Sequence, residues 1–160
     1  MTSDETCIQE PLGDPTVQIR LLSQPRLLAG VRSLVTTLAE RVGFGRVGSG
    51  HVALAVDEAL TNIIRHGYDQ RTDEVIDLRV WVLAGEQPGI RIEIEDEADH
   101  VDPADFQGRD LEDVRPGGLG VHLMREVMHV CEFEKRAGRG MRVVLEKRLE
   151  PPTESVADST

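Results

Sequence analysis

Aromatic side chains are nearly missing from this chain: three Phe, one Tyr and one Trp make up 3% of 160 residues. Leu, Val and Ile must therefore build the core, and a hydrophobic content of 39% lets them do so. Cysteine is just as scarce. Cys7 and Cys131 show no metal or redox spacing, which leaves no disulfide framework and fits a reducing compartment. Lysine occurs only at positions 135 and 147, so no glycine loop carries the lysine of a Walker-type phosphate loop. No basic run is present and the formal net charge is −11, which argues against nucleic acid or an anionic membrane surface held by bulk charge. No apolar run reaches the length of a transmembrane helix. The opening "MTSDETCIQEPLGDP" is acidic and lacks the apolar segment of a signal peptide. The expectation is a cytoplasmic protein that meets a partner protein or a small ligand, with no direct nucleic acid and no membrane contact.

What is present suits one domain with one core. Residues 1–15 and 150–160 are polar, with Pro and small residues, and read as flexible tails around a domain at 16–149. "VQIRLLS" reads as a strand. Leu27, Val31, Leu34 and Leu38 follow at helical spacing behind Pro25, and Gly43 suits the helix end. A second helix is expected from Ser49, as its N-cap, to Gly67. "VIDLRVWVLA" and "GIRIEIED" alternate around "EQPG", the pattern of an antiparallel hairpin. Residues 99–116 make a long, irregular, acidic connection. A helix from Leu119 to His129 follows, then a closing hairpin of "VCEFEKR" and "GMRVVLEKR" turning at "AGRG". Strands that neighbour one another, rather than repeated βαβ units, predict an α+β two-layer sandwich: a mixed, mainly antiparallel sheet with helices on one face.

"GFGRVG" matches the spacing of a dinucleotide fingerprint, but that motif needs a strand before it and here an amphipathic helix precedes it. It reads as a helix–helix connection. The five histidines, at 51, 66, 100, 122 and 129, show no metal spacing. Three other features carry chemistry. In "VDEALTNIIRHGYDQ", Glu58, Asn62 and His66 recur every four residues, so they share one helix face with Arg65, within roughly 80° of Glu58 at about 100° per residue. Val52, Val56, Ala59, Leu60 and Ile63 fall on the far side. In "GIRIEIED", Asp96 continues the parity of Ile90, Ile92 and Ile94, placing a carboxylate on the core side of a strand end. In "RPGGLGVHLMREVM", glycines open a helix, where backbone N–H groups and a positive dipole end suit a phosphate. Each alone has an ordinary reading: a solvated helix face, a strand-ending cap, a glycine-rich turn.

Together and in this order, the three features resemble the Bergerat, GHKL-type nucleotide-binding fold shared by gyrase, histidine kinases and the bacterial anti-sigma-factor serine kinases. "DEALTNIIRHGY" is similar to the N box of the last group, the RsbW/SpoIIAB type. "IEIEDEADHVDP" is similar to its first glycine box and "GGLGVHLMREVMHVCEFE" to its second. The resemblance implies ATP and Mg²⁺ as the bound groups. It implies Glu58 as general base for an attacking serine hydroxyl, Asn62 as the Mg²⁺ ligand and Asp96 as acceptor for the adenine amino group. Gly118 and Gly120 would let the backbone reach the phosphates. Residues 99–117 would be the ATP lid, with Arg115 near the position of its phosphate-contacting arginine. His66, Ala98, Gly117 and Leu119 complete the implied nucleotide contacts. Two positions depart from the pattern. Ala98 stands where the first box usually has glycine, and Met141 where a Thr usually approaches the adenine, so the Ala98 methyl is expected to crowd the base.

The implied function is a serine protein kinase in a partner-switching circuit. It would phosphorylate a STAS-domain antagonist, sequester a sigma factor or another regulator, and act as a homodimer. The rival from another class is a nucleotide-binding module, weak or inactive in catalysis, that regulates by sequestering its partner. Ala98 favours the rival; retention of Glu58 and Asn62 favours the kinase.

Overall fold

The computed structural model describes residues 13–99 and 118–151. The expected tails, apart from residues 13–15, 150 and 151, lie outside the described residues, as does all of the expected lid except Asp99. Strand β1 (Val17–Leu22) leads through a 3₁₀ turn at Pro25–Leu27 into helix α1 (Leu28–Val42). Helix α2 (Arg46–Asn62) runs into a π-helical turn at Ile63–Gly67. The hairpin β2 (Val75–Leu83) and β3 (Gly89–Glu95) follows, then α3 (Gly118–Val127), β4 (Val130–Lys135) and β5 (Met141–Arg148). The strands form one sheet in the order β1-β2-β3-β5-β4. Every pairing in it is antiparallel, the limiting case of the mainly antiparallel sheet expected from sequence.

Period-two patterning decides which sheet face is buried. Ile90, Ile92 and Ile94 of β3 pair with Val82, Val80 and Leu78 of β2, and Ile92 and Ile94 face Leu145 and Val143 of β5. All of these except Val82 are buried, and they pack under Val35 and Ala39 of α1, Val52, Val56 and Leu60 of α2, and Met124 of α3. The opposite face is charged. There Arg91 and Glu93 are buried as an ion pair at 2.8 Å, flanked by Arg79, Arg142 and Glu146. Burying a charge is costly unless it is paired, which accounts for the clustering of opposite signs on that face.

The link between α1 and α2 shows what "GFGRVG" does. Gly43 takes φ +115 and closes α1, its N–H reaching Glu40 O and that of Phe44 reaching Ala39 O, both at 3.1 Å. Gly45 is the N-cap of α2, so the helix starts four residues before the expected position. Ser49 is not the cap. It is buried in the first turn, where its hydroxyl donates back to Gly45 O at 3.1 Å, and Phe44 folds over Gly48. Cys131 faces the core side of β4, and burial pushes its thiol up to about 11, so it carries little thiolate at neutral pH.

Candidate nucleotide site

Helix α2 delivers two of the three polar residues of its stripe into one region. Its apolar residues are buried against the sheet, which turns Glu58 and Asn62 toward the groove between α2 and α3 and the cleft beside it. The helix then widens. The N–H of Tyr68 reaches Ile63 O at 2.8 Å, five residues back, and that of Gln70 reaches Ile64 O. Asp69 and Gln70 follow with φ of 49° and 64°, a left-handed pair that reverses the chain. π-turns of this kind are frequent at functional sites because they re-aim the side chains around them. Here the turn brings His66 and Gly67 to the cleft.

The cleft, about 330 Å³ including its open mouth, is lined by Ala59, Asn62, Ile63, His66 and Gly67 from the α2 side. The sheet side contributes Asp96, Phe133, Met141 and Val143. Apolar walls around one carboxylate suit a flat heteroaromatic ring carrying an amino donor. Asp96 is buried. Its Oδ1 accepts the N–H groups of Ala98 at 2.8 Å and Met141 at 3.2 Å, and Oδ2 meets no donor among the described residues. Burial raises its carboxyl above the ordinary range, and those two N–H groups and Arg136 pull it back.

On the phosphate side, α3 packs against α2 through a glycine. A Cβ at Gly120 would lie 2.3 Å from Glu58 Oε2. The Glu58 carboxylate therefore rests against the first turn of α3, where amide N–H groups point outward and the helix dipole is positive. One further observation bears on what the site can hold. The amide nitrogen of Asn62 is buried in the cleft lining with no hydrogen-bond partner, an orphan that a polar ligand would satisfy. Among the described residues no group of three His, Cys, Asp or Glu could hold a metal alone. Asn62 offers one oxygen-bearing side chain, which fits a Mg²⁺ that takes its remaining ligands from water and phosphate.

The sequence-derived residues thus divide. Asn62, His66 and Asp96 line one cleft, and Glu58 meets Gly120 at its edge. Gly118 starts α3, and Leu119 is 63% exposed beside it. Met141 lines the cleft, whereas Ala98 does not: its methyl packs in the core and its N–H serves Asp96. Arg65 points to solvent. Arg115 and Gly117 lie outside the described residues. Sequence reasoning missed Phe133 and Val143, which the alternation of β4 and β5 could have placed opposite α2. It also missed the hydrogen-bonding side chains around Asp96. Those are Tyr68, whose hydroxyl takes the Glu97 N–H at 2.8 Å, and Arg136, which donates to Asp96 O at 2.6 Å.

An antiparallel sheet covered on one face by helices, with an acid–amide helix beside a buried strand-end aspartate, is the architecture of a Bergerat-type nucleotide-binding sandwich. The chain matches the histidine kinase-like ATPase domain over residues 21–147, and it belongs to that family. It is 25% identical over 142 residues to a serine-protein kinase RsbW of Bacillus velezensis, covering 83% of this chain and 85% of that protein. It is 32% identical over 91 residues to the serine/threonine-protein kinase BtrW of Bordetella bronchiseptica, covering 54% of this chain and 62% of that one. It is 30% identical over 102 residues to an anti-sigma F factor of Clostridium beijerinckii, covering 61% and 69%.

Proposed function

We propose that this chain is an ATP-dependent serine protein kinase of the anti-sigma type, which binds ATP with Mg²⁺ and phosphorylates a small STAS-domain antagonist. The observation that supports it most is the contact of the Glu58 carboxylate with the glycine-opened turn of α3, one helical turn from the orphaned Asn62 amide. A base there stands beside the place where a γ-phosphate would lie. Phosphoryl transfer needs mainly positioning and charge neutralisation, and these residues divide that work. Asp96 accepts from the adenine amino group. Asn62 would hold the cation, whose contribution would be to neutralise charge on the phosphates. Gly120 leaves room for backbone to approach them. Glu58 takes the proton of the serine hydroxyl as its oxygen bonds to the γ-phosphorus and ADP departs.

The relatives' printed names, serine-protein kinase and anti-sigma F factor, support a protein serine as the substrate class and a sigma factor as a partner class, while the STAS-domain antagonist rests on the family resemblance alone. The homodimer implied by the family resemblance belongs to the same proposal. The rival, a sequestering module without turnover, loses one of its supports, because the Ala98 methyl does not enter the cleft. Calorimetry with ATP, with and without Mg²⁺, tests the site. Binding that tightens with Mg²⁺ is the expected result, and no binding at millimolar nucleotide would overturn the proposal.

A further inference from the structure

The strand end at Asp96 is held from three sides by residues distant in sequence. Its N–H bonds Met141 O at 3.1 Å, and its carbonyl accepts from Arg136 Nη1 at 2.6 Å. The next N–H, of Glu97, is taken by the Tyr68 hydroxyl at 2.8 Å. The one after, of Ala98, is taken by Asp96 Oδ1. Every main-chain polar group from Asp96 N to Ala98 N thus has a partner, the Glu97 carbonyl included, which accepts from Arg139 at 2.7 Å. Such saturation is unusual where a chain leaves a sheet, since strand ends ordinarily give these groups to water.

Two of these partners hold the Asp96–Glu97 peptide through side chains. Tyr68 is fully buried and follows the π-turn directly. Its hydroxyl donates to Val75 O at 2.6 Å while accepting from Glu97, and burial pushes its phenol up to about 12, so it stays a donor across the working pH range. Arg136 leaves β4, grips the Asp96 carbonyl and reaches Glu95 Oε2 at 3.5 Å with its second nitrogen. Neither side chain lines the cleft. We infer that Tyr68 and Arg136 are positioning residues that set base selectivity by fixing the one direction in which Asp96 Oδ2 can accept a hydrogen bond. This rests on the proposed adenine site and deepens it. Met141 is apolar, and among the described residues Asp96 is the only polar side chain on the sheet side of the cleft. Discrimination then depends on how well that single acceptor is aimed.

The test compares dissociation constants for ATP and for purine riboside triphosphate, which lacks the 6-amino group. The intact chain should prefer ATP by roughly tenfold or more, the value of a hydrogen bond to a charged acceptor. Tyr68→Phe and Arg136→Met should each lower ATP affinity and bring that preference towards one. Affinity for the analogue should change less than about twofold, and Arg136→Lys should restore part of the preference. A merely structural role would weaken both ligands in proportion and leave the ratio unchanged, and that result overturns the inference. If Tyr68→Phe fails to unfold cooperatively, Arg136→Met and its lysine rescue decide alone. No ATP binding by the intact chain would overturn the proposed function and this inference with it. An intact chain that prefers ATP, with variants that keep the preference, would overturn the inference alone.

Discussion

At Gly120 the missing side chain is what lets α3 approach Glu58. An alanine there would suit the helix by roughly 1 kcal/mol, yet its Cβ would fall 2.3 Å from the carboxylate oxygen. The clash is with the tip of a flexible side chain, so Glu58 swings away rather than the helices separating. Gly120→Ala is therefore expected to unfold at the same denaturant concentration or higher while phosphotransfer falls. Equal loss of stability and activity would show that the glycine serves packing alone. Asp96 carries the opposite trade. Burial raises its carboxyl above the ordinary 3.8. A carboxyl whose folded pKa exceeds its unfolded one contributes stability that is complete below the unfolded value and is lost as pH rises through the folded value. The ionised group thus costs stability at neutral pH. Asp96→Asn should raise the thermal midpoint at pH 7 and give no such gain below pH 3.8, while removing the preference for ATP. The ATP affinity of the intact chain should fall on acidification, starting at a higher pH than for an ordinary aspartate. Titration calorimetry across pH reads both.

The closing hairpin lines the cleft through Phe133, Met141 and Val143 and also holds the strand end that carries Asp96. Gly140, at φ +87, immediately precedes β5, and a Cβ there would clash with the Asp96 carbonyl oxygen. Backbone meets backbone, so nothing yields cheaply. Gly140→Ala should cost on the order of 1–3 kcal/mol in urea unfolding, the strain of a disfavoured φ plus the clash; an unchanged midpoint would contradict the close packing of this turn on β3. The "AGRG" sequence marked the turn but not this contact, because turn chemistry is local and the partner lies far away in the chain. The same limit explains the other misses. Alternation in "GIRIEIED" was enough to orient Asp96, and four-residue spacing was enough to align Glu58 with Asn62. The start of α2 was misplaced at Ser49, since a buried serine bonding back to the preceding turn looks the same in sequence as a cap. The π-turn has no sequence period that distinguishes it from the helix it extends. Tyr68 and Arg136 act through partners 29 and 40 residues away, beyond any pattern that periodicity can register.

For the whole molecule, the charge balance, the sheet order and the cleft support one reading. A chain of net charge −11 is poorly suited to follow a nucleic-acid backbone, and its acidic surface suits a protein partner met through specific contacts. The fold was legible as a whole because the order of its elements, with strands adjacent and one long connection before α3, admits few arrangements. The site was legible at its polar anchors and not at its apolar walls, which share their residue types with the core. In the proposed reaction Glu58 is the base of a serine phosphotransfer. The direct measurement is formation of phosphoserine on the STAS-domain antagonist by the intact chain and by Glu58→Ala, under ATP and Mg²⁺, with ADP affinity measured in parallel. The expected result is phosphoserine with the intact chain, a rate lower by about 10²–10⁴-fold in the variant, and ADP affinity unchanged. Phosphoserine formed at the same rate by both, or by neither despite bound nucleotide, would contradict it.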